Sequence, residues 1–288
     1  MFINNSIFFL DYIRILRPQQ WLKNLLLYFP SFLSGSIISI EYPFQGVMPI
    51  IAFCMGSSAT YILNDIIDSD NDKHHPRKKY RPIPSGTISK ITAAVLALLL
   101  LCAGLTFATF SVSIRFSLYL VLYLLVSTLY SLKLKAVPLV DIFCIATGFI
   151  IRLEAGGEAF AVPISDWLFL TVFLLALFLS IGKRLNEKLN LGNEAKCHRK
   201  SLAGYPDGFL DGAMYLTGGA VLVTYSMYTL SRSHLFYTVP LCCFGLLRYI
   251  FRVKSGQSGD PTESLLKDVP LLLVSLTWAA IIGWRLYF

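Results

Sequence analysis

The stretch Asn64-Asp65-Ile66-Ile67-Asp68-Ser69-Asp70-Asn71-Asp72 places four carboxylates directly after a long apolar run. If that run is a helix that continues, Asp65, Asp68 and Asp72 fall at i, i+3 and i+7 on one face, with Asn64 one turn below Asp68. Three like charges on one face repel, so the arrangement calls for a cation. Hard oxygen donors with no His or Cys at metal spacing suit Mg²⁺, which usually also holds substrate phosphates. Asn64, Asp65, Asp68 and Asp72 are the expected ligands, whereas Asp70 points off the shared face and reads as a solvated acid.

The next stretch, Lys73 to Gly86, is basic and punctuated by Pro76, Pro82 and Pro84. Prolines stiffen a loop, and its Lys and Arg side chains can bind phosphate. Next to the acidic cluster, part of this basic charge suggests a shared metal-diphosphate site, the rest being topogenic. His74 and His75 have no partner His or Cys nearby and are not read as metal ligands.

The elements that must position these groups are membrane helices. The 288 residues are 55% hydrophobic and only 15% charged, and the mean hydropathy is +0.62. Apolar runs of about 20 residues, enough to cross a hydrocarbon core of roughly 30 Å, recur near 22–40, 46–67, 90–110, 114–132, 137–155, 165–182, 209–230, 235–251 and 269–287. They do not alternate as strands of a membrane barrel would, so the expected fold is all-α, a single polytopic bundle of about nine spans over residues 1–288. Residues 8–21 mix Phe, Leu, Ile and Trp with Asp11, Arg14 and Arg17, a pattern predicting an interfacial amphipathic helix with Trp21 at headgroup depth. No cleavable signal peptide is expected. The inner loops 68–89 and 183–208 lie about four spans apart and hint at a duplicated half; a third, 252–268, is rich in Gly, Ser and Pro.

The net charge of +8 could suggest nucleic acid, but its distribution argues against such a partner. With nine spans and a cytoplasmic N-terminus, 21 of the 25 Lys and Arg fall on inner segments, leaving Arg115, Arg152, Arg232 and Arg285 elsewhere. That is the positive-inside bias of a multi-pass protein of the inner (cytoplasmic) membrane. The same basic surface attracts anionic lipid or phosphorylated substrates. The six cysteines sit mostly inside apolar spans, without the spacing of a metal site or disulfide framework.

Asn-Asp-x-x-Asp-x-x-x-Asp at the end of the second span resembles the UbiA prenyltransferase superfamily. Within it, the chain is similar to the decaprenyl-phosphate (polyprenyl-phosphate) phosphoribosyltransferase branch. The likeness rests on Arg17-Pro18-Gln19-Gln20-Trp21-Leu22-Lys23-Asn24, His75-Pro76, Arg81-Pro82-Ile83, Ser85-Gly86 and Tyr130 to Lys135. It extends through Gly148 to Arg152, Ala155-Gly156-Gly157, Gly182-Lys183-Arg184-Leu185-Asn186-Glu187 and Arg248-Tyr249. Ordinary members carry a second acidic motif, Asp-x-x-x-Asp, after span six. Here Lys183, Arg184 and Glu187 stand in its place, which makes a phosphate site more natural there than a second metal.

The resemblance implies transfer of 5-phosphoribosyl from phosphoribosyl pyrophosphate (PRPP) to a long polyprenyl phosphate, with release of pyrophosphate, in the making of cell-envelope arabinose donors. Mg²⁺ on the acidic cluster would neutralise the leaving pyrophosphate, and Lys23, Lys79, Arg81 and Lys133 would assist. A single in-line displacement inverts C1 and gives a β-linked product. Arg17 and Asn24 belong to the substrate site by the same likeness. Lys183 and Arg184 would hold either the 5-phosphate of PRPP or the lipid phosphate, Glu187 would orient Arg184 or touch the ribose, and Arg152 would face a polar cavity. The competing readings are an aromatic prenyltransferase using a polyprenyl diphosphate and a non-enzymatic lipid-binding or transport protein. A homo-oligomer is compatible with the sequence.

The charge split makes the topology testable. Reporter fusions within 68–89 and 183–208 are expected to read as cytoplasmic and a fusion after Phe288 as the opposite side; a cytoplasmic C-terminus would break the nine-span reading.

Overall fold

In lipid, backbone N–H and C=O groups must be satisfied within the protein, which a helix does within its own segment. The computed structural model describes residues 10–37, 43–73, 78–191, 200–232 and 235–288, except for the side chains of 43–45, 191 and 200. His74, His75 and Pro76 lie outside the described residues, as do one of the six cysteines, Cys197, residues 8–9 of the expected interfacial helix and 38–40 of the first expected span.

Among the described residues every long element is helical. A helix over 10–16 leads into a 3₁₀ segment, Pro18–Tyr28, and the short α1, Phe29–Ser34. Then follow α2 (Pro43–Asp72), α3 (Lys90–Phe107), α4 (Ile114–Leu132), α5 (Val140–Ala159) and α6 (Asp166–Leu191). The chain closes with α7 (Phe209–Leu230), α8 (Val239–Lys254), α9 (Pro261–Lys267) and α10 (Val269–Tyr287). Side-chain caps mark several starts: Ser89 accepts from Thr92 N, Ser113 from Phe116 N and Asp268 from Leu271 N.

Six of these stretches are long and apolar enough to cross a membrane: Gly46–Asp72, Lys90–Val112, Ile114–Leu132, Asp166–Asn190, Phe236–Lys254 and Val269–Tyr287. The remaining expected spans fall on the 3₁₀ segment with α1, on α5 and on α7. α5 carries Asp141, Arg152, Glu154 and Glu158, charges that a lipid-facing helix would not tolerate. The interfacial helix is shorter than expected. It stops at Leu16 because Arg17 adopts a left-handed backbone (φ 52°) ahead of Pro18, and a residue before proline is disfavoured in the α conformation. Trp21 turns inward and donates Nε1 to Ser58 Oγ on α2 at 3.0 Å.

The apolar surface faces outward, as a bilayer solvent requires. Leu98, Leu99 and Phe110 near α3, Leu216 and Val223 on α7, and Leu273 and Leu276 on α10 are all exposed. The chain is a multi-pass membrane protein. Inside, one core unites α6, α7 and α8 around Phe178, Met214 and Tyr249. A second unites α2, α4 and α5 around Phe53, Phe116 and Tyr123. α5 joins both, with Ile142 and Ala146 in the first and Ile151 and Ala155 in the second. Gly182 lets α6 meet α8 closely, since a Cβ there would stand 2.6 Å from the Tyr249 ring. That contact seats the next residue, Lys183, beside the loop that follows α8.

Candidate active site

α2 runs unbroken through its acidic end to Asp72, so Asp65 and Asp72 stand on one face, two turns apart. What meets that face is cationic protein. Asp65, buried, accepts from Arg17 Nη2 and from Arg81 Nη1, the latter at 3.0 Å. The same Arg81 nitrogen lies 2.7 Å from Asp72 Oδ2, and Lys78 stands 3.5 Å from the other Asp72 oxygen. Asp68 is turned aside and takes Lys135 Nζ at 2.5 Å. Asp70 lies outside this cluster, exposed, between Lys73 and Lys90 at 3.0 Å each.

Among the described residues no three His, Cys, Asp or Glu side chains converge closely enough to hold a metal ion. The expected four-ligand face is split by these pairings: Asp65 and Asp72 share one nitrogen, Asp68 faces Lys135, and Asn64 is half-buried beside them. The two carboxylates that share a guanidinium nitrogen are already set to share a cation. Because Mg²⁺ retains several waters and takes only one or two carboxylates beside substrate phosphates, the donor set fits that ion.

Two cations expected here are elsewhere. Lys133 is exposed at the C-terminus of α4; the 3₁₀ turn Leu134–Ala136 presents Lys135 in its place. Lys79 is exposed and lies over the Tyr80 ring, 5.1 Å from its centroid.

The second locus is built on α6. Lys183 Nζ lies 2.7 Å from Asp260 Oδ2, in the loop between α8 and α9. Burial pushes the Asp260 carboxyl up, but Lys183 and then Lys23 outweigh it and hold the group below the ordinary carboxylate range. It is therefore an anion at neutral pH. Lys23, on the 3₁₀ segment, is half-buried and within electrostatic range of Lys183, Asp260, Arg152 and Arg17. It thus lies within reach of both Arg17, which pairs with Asp65, and the Lys183–Asp260 pair. Asn24, fully buried, donates to Ser57 Oγ at 3.2 Å and accepts from Arg152 Nε at 2.8 Å. Arg152 also donates to Gly148 O at 2.8 Å and stacks over Tyr123 at 4.3 Å. Arg152 is thus buried between Asn24, the Gly148 carbonyl and the aromatic rings of Phe53, Tyr123 and Phe149.

Arg184 departs from expectation. It is 1% exposed, and its guanidinium is consumed by protein: Nε to Asp141 at 2.7 Å, Nη1 to Glu187 at 2.9 Å and Nη2 to the Tyr130 hydroxyl at 3.3 Å. Asp141, at the start of α5, also accepts from Tyr205 Oη at 2.6 Å and Ser201 Oγ at 3.4 Å. Burial and Asp141 push the Tyr205 phenol well above its ordinary value, so it remains a donor. This network ties α4, α5, α6 and the segment before α7 together. The phosphate contact expected of Arg184 is replaced by a fastening one, and Glu187 orients it.

An apolar helical bundle with charged side chains gathered at the C-terminal ends of α2 and α6 defines a membrane-embedded protein with a built polar centre. Residues 30–276 match the UbiA prenyltransferase family, a class of membrane-embedded transferases, and the chain belongs to that family. It is 32% identical to decaprenyl-phosphate phosphoribosyltransferase of Mycolicibacterium smegmatis over 96% of this chain and 92% of that protein. It is 30% identical to the protein of the same name from Mycobacterium tuberculosis over 96% and 94% of the two chains. Its fold matches that of a UbiA homolog from Archaeoglobus fulgidus, solved bound to GPP and Mg²⁺, with a TM-score of 0.76 and 21% identity over 96% of this chain and 99% of that one.

The fastening role of Arg184 has a measurable consequence. Removing one partner of a buried ion pair leaves the other charge uncompensated, at a cost of about 3–5 kcal/mol. Arg184→Ala is expected to lower the unfolding temperature in detergent markedly, with Arg184→Lys recovering only part because Lys cannot reproduce the forked contacts. Wild-type stability for Arg184→Ala would show that the network does not fasten the fold.

Proposed function

We propose that this protein transfers 5-phosphoribosyl from PRPP to a polyprenyl phosphate, releasing pyrophosphate, at the cytoplasmic face of the inner membrane. One observation supports the reading: charged side chains gather at two places, the α2 carboxylates with Arg17 and Arg81, and Lys183 with Asp260, and Lys23 lies within electrostatic range of both Arg17 and Lys183. A prenyl diphosphate has one charged end, whereas PRPP has two, a diphosphate at C1 and a phosphate at C5. The names of the full-length relatives support the same donor and acceptor.

Asp65 and Asp72, with Asn64 and Asp68 beside them, would hold Mg²⁺ against the diphosphate. The ion would supply charge neutralisation of the departing pyrophosphate. Arg17 and Arg81 pair with Asp65 in the free protein, and both turn to the diphosphate oxygens once the carboxylates are otherwise engaged. Lys135, paired with Asp68, takes the assisting place expected of Lys133. Lys183 and Lys23 receive the 5-phosphate. Asn24 and Arg152, buried against each other, brace the 3₁₀ segment that carries Lys23, and Arg184 with Glu187 holds α6 in position. An oxygen of the lipid phosphate bonds to C1 as the C1–O bond to pyrophosphate breaks. The acceptor is already anionic, so no side chain need remove a proton from it. The polyprenyl chain stays in the bilayer, reached from the apolar outer surface.

The decisive assay offers purified protein labelled PRPP with polyprenyl phosphate and, separately, a prenyl diphosphate with 4-hydroxybenzoate. The lipid phosphoribosyl product is expected only from the first pair, lost in EDTA, restored by Mg²⁺ and absent from folded Asp65→Ala protein. Prenylation of the aromatic acid without use of PRPP would overturn the assignment, and full activity in EDTA would remove the metal.

A further inference from the structure

A carboxylate inside an anion-binding locus needs a reason, because it opposes every anion that arrives. Asp260 is such a group. Its Oδ2 lies 2.7 Å from Lys183 Nζ, and its Oδ1 accepts from the backbone N–H groups of Thr262 and Glu263 at 3.1 and 3.2 Å, capping α9. The Lys183 and Asp260 side chains keep 35% and 23% of their surface exposed, so an anion can reach the pair.

The position of Asp260 is not left to the flexibility of a Gly-rich loop. Asn186, one turn beyond Lys183 on α6, donates to Gln257 O at 2.5 Å and accepts from Gly259 N at 3.1 Å. Tyr249 on α8 donates to Gly259 O at 2.7 Å, and Ser264 Oγ to Ser258 O at 2.7 Å. A Cβ on Gly259 would stand 2.5 Å from Asn186 Cβ, so only glycine lets the loop lie this close to α6. Three elements therefore hold one carboxylate against one ammonium. The sequence Ser255 to Asp260, which reads as an ordinary polar linker, is a clamp.

We infer that Asp260 is the resident counter-ion of Lys183 and a specificity-determining residue: a phosphate reaches Lys183 only by displacing or sharing this carboxylate. A free phosphate must do so with its own affinity alone. A phosphate tethered to a second group already bound at the acidic end of α2 competes at a high effective concentration and succeeds. The clamp thus excludes free phosphate, while a donor charged at both ends passes. The inference rests on the reading that Lys183 takes the far phosphate of a donor whose diphosphate is held at the acidic end of α2.

The test is inorganic phosphate binding to the purified full-length protein, by calorimetry in detergent, without donor, acceptor or metal. Asn caps helices as Asp does, so Asp260→Asn removes the charge and keeps the cap. It is expected to bind phosphate about tenfold or more tightly than wild type, on the order of what removing one unit charge a few ångströms from the anion gives. The gain is expected to vanish in the double variant Asp260→Asn with Lys183→Gln. If Asp260→Asn does not fold, Asp260→Ser retains a capping oxygen without the charge and must show the same gain. Unchanged or weaker phosphate binding in the folded variant would overturn the inference. This outcome is independent of whether PRPP is the donor, since no turnover is measured. In the turnover assay the KM of the donor is expected to fall in Asp260→Asn, and a fall confined to the lipid acceptor would overturn the tethered-phosphate reading.

Discussion

Ionised side chains inside an apolar bundle must be paired, because desolvation of a lone charge costs more than a folded domain can offset. Here that constraint decides where each functional group stands. The carboxylates at the end of α2 are met by Arg17, Arg81 and Lys135 from three different segments. Asp141 is met by Arg184 from α6, with Tyr205 and Ser201 added from the segment before α7. Packing builds the apolar cores, but ion pairs fix the charged ends of the helices relative to one another.

The two groups of pairs differ in what they can do next. The Asp141–Arg184 pair is sealed, with both side chains essentially inaccessible. Its charges are satisfied on several sides, and a rigid anchor results. The pairs at the end of α2 and at Lys183 are partly open, with Arg17, Arg81, Lys135 and Lys183 between 23% and 35% exposed. Their contacts are exchangeable: a phosphate or a metal ion can take over one side of each. The sealed network supports the open ones, since Arg184 follows Lys183 directly and Asn186 clamps the loop that bears Asp260.

Local periodicity made much of this legible in advance. The shared placement of Asp65 and Asp72, the outward Asp70 and the buried Arg152 follow from helical spacing and the cost of charge in an apolar span. The contacts between distant segments were not legible. Lys133 and Lys135 are two residues apart, and only the 3₁₀ turn after α4 decides which reaches Asp68. Arg184 and Lys183 read alike as phosphate ligands, yet a helix turns neighbours by about 100°; one is buried against α5 and the other faces the loop. Asp141 looks like an ordinary acid at a helix start, and Asp260 like a helix cap in a linker. Their tertiary partners alone reveal them.

The account turns on a donor held at both ends, with Lys183 on the far phosphate. The most direct measurement is a double-mutant cycle that pairs Lys183→Gln with a donor lacking the 5-phosphate, read as kcat/KM. If Lys183 holds that phosphate, removing either partner loses the same interaction, and the cycle shows a coupling of about 1.5–3 kcal/mol, typical of a hydrogen bond to a charged group. Losses that simply add would contradict the account, and a loss confined to the KM of the lipid acceptor would place Lys183 on the other substrate.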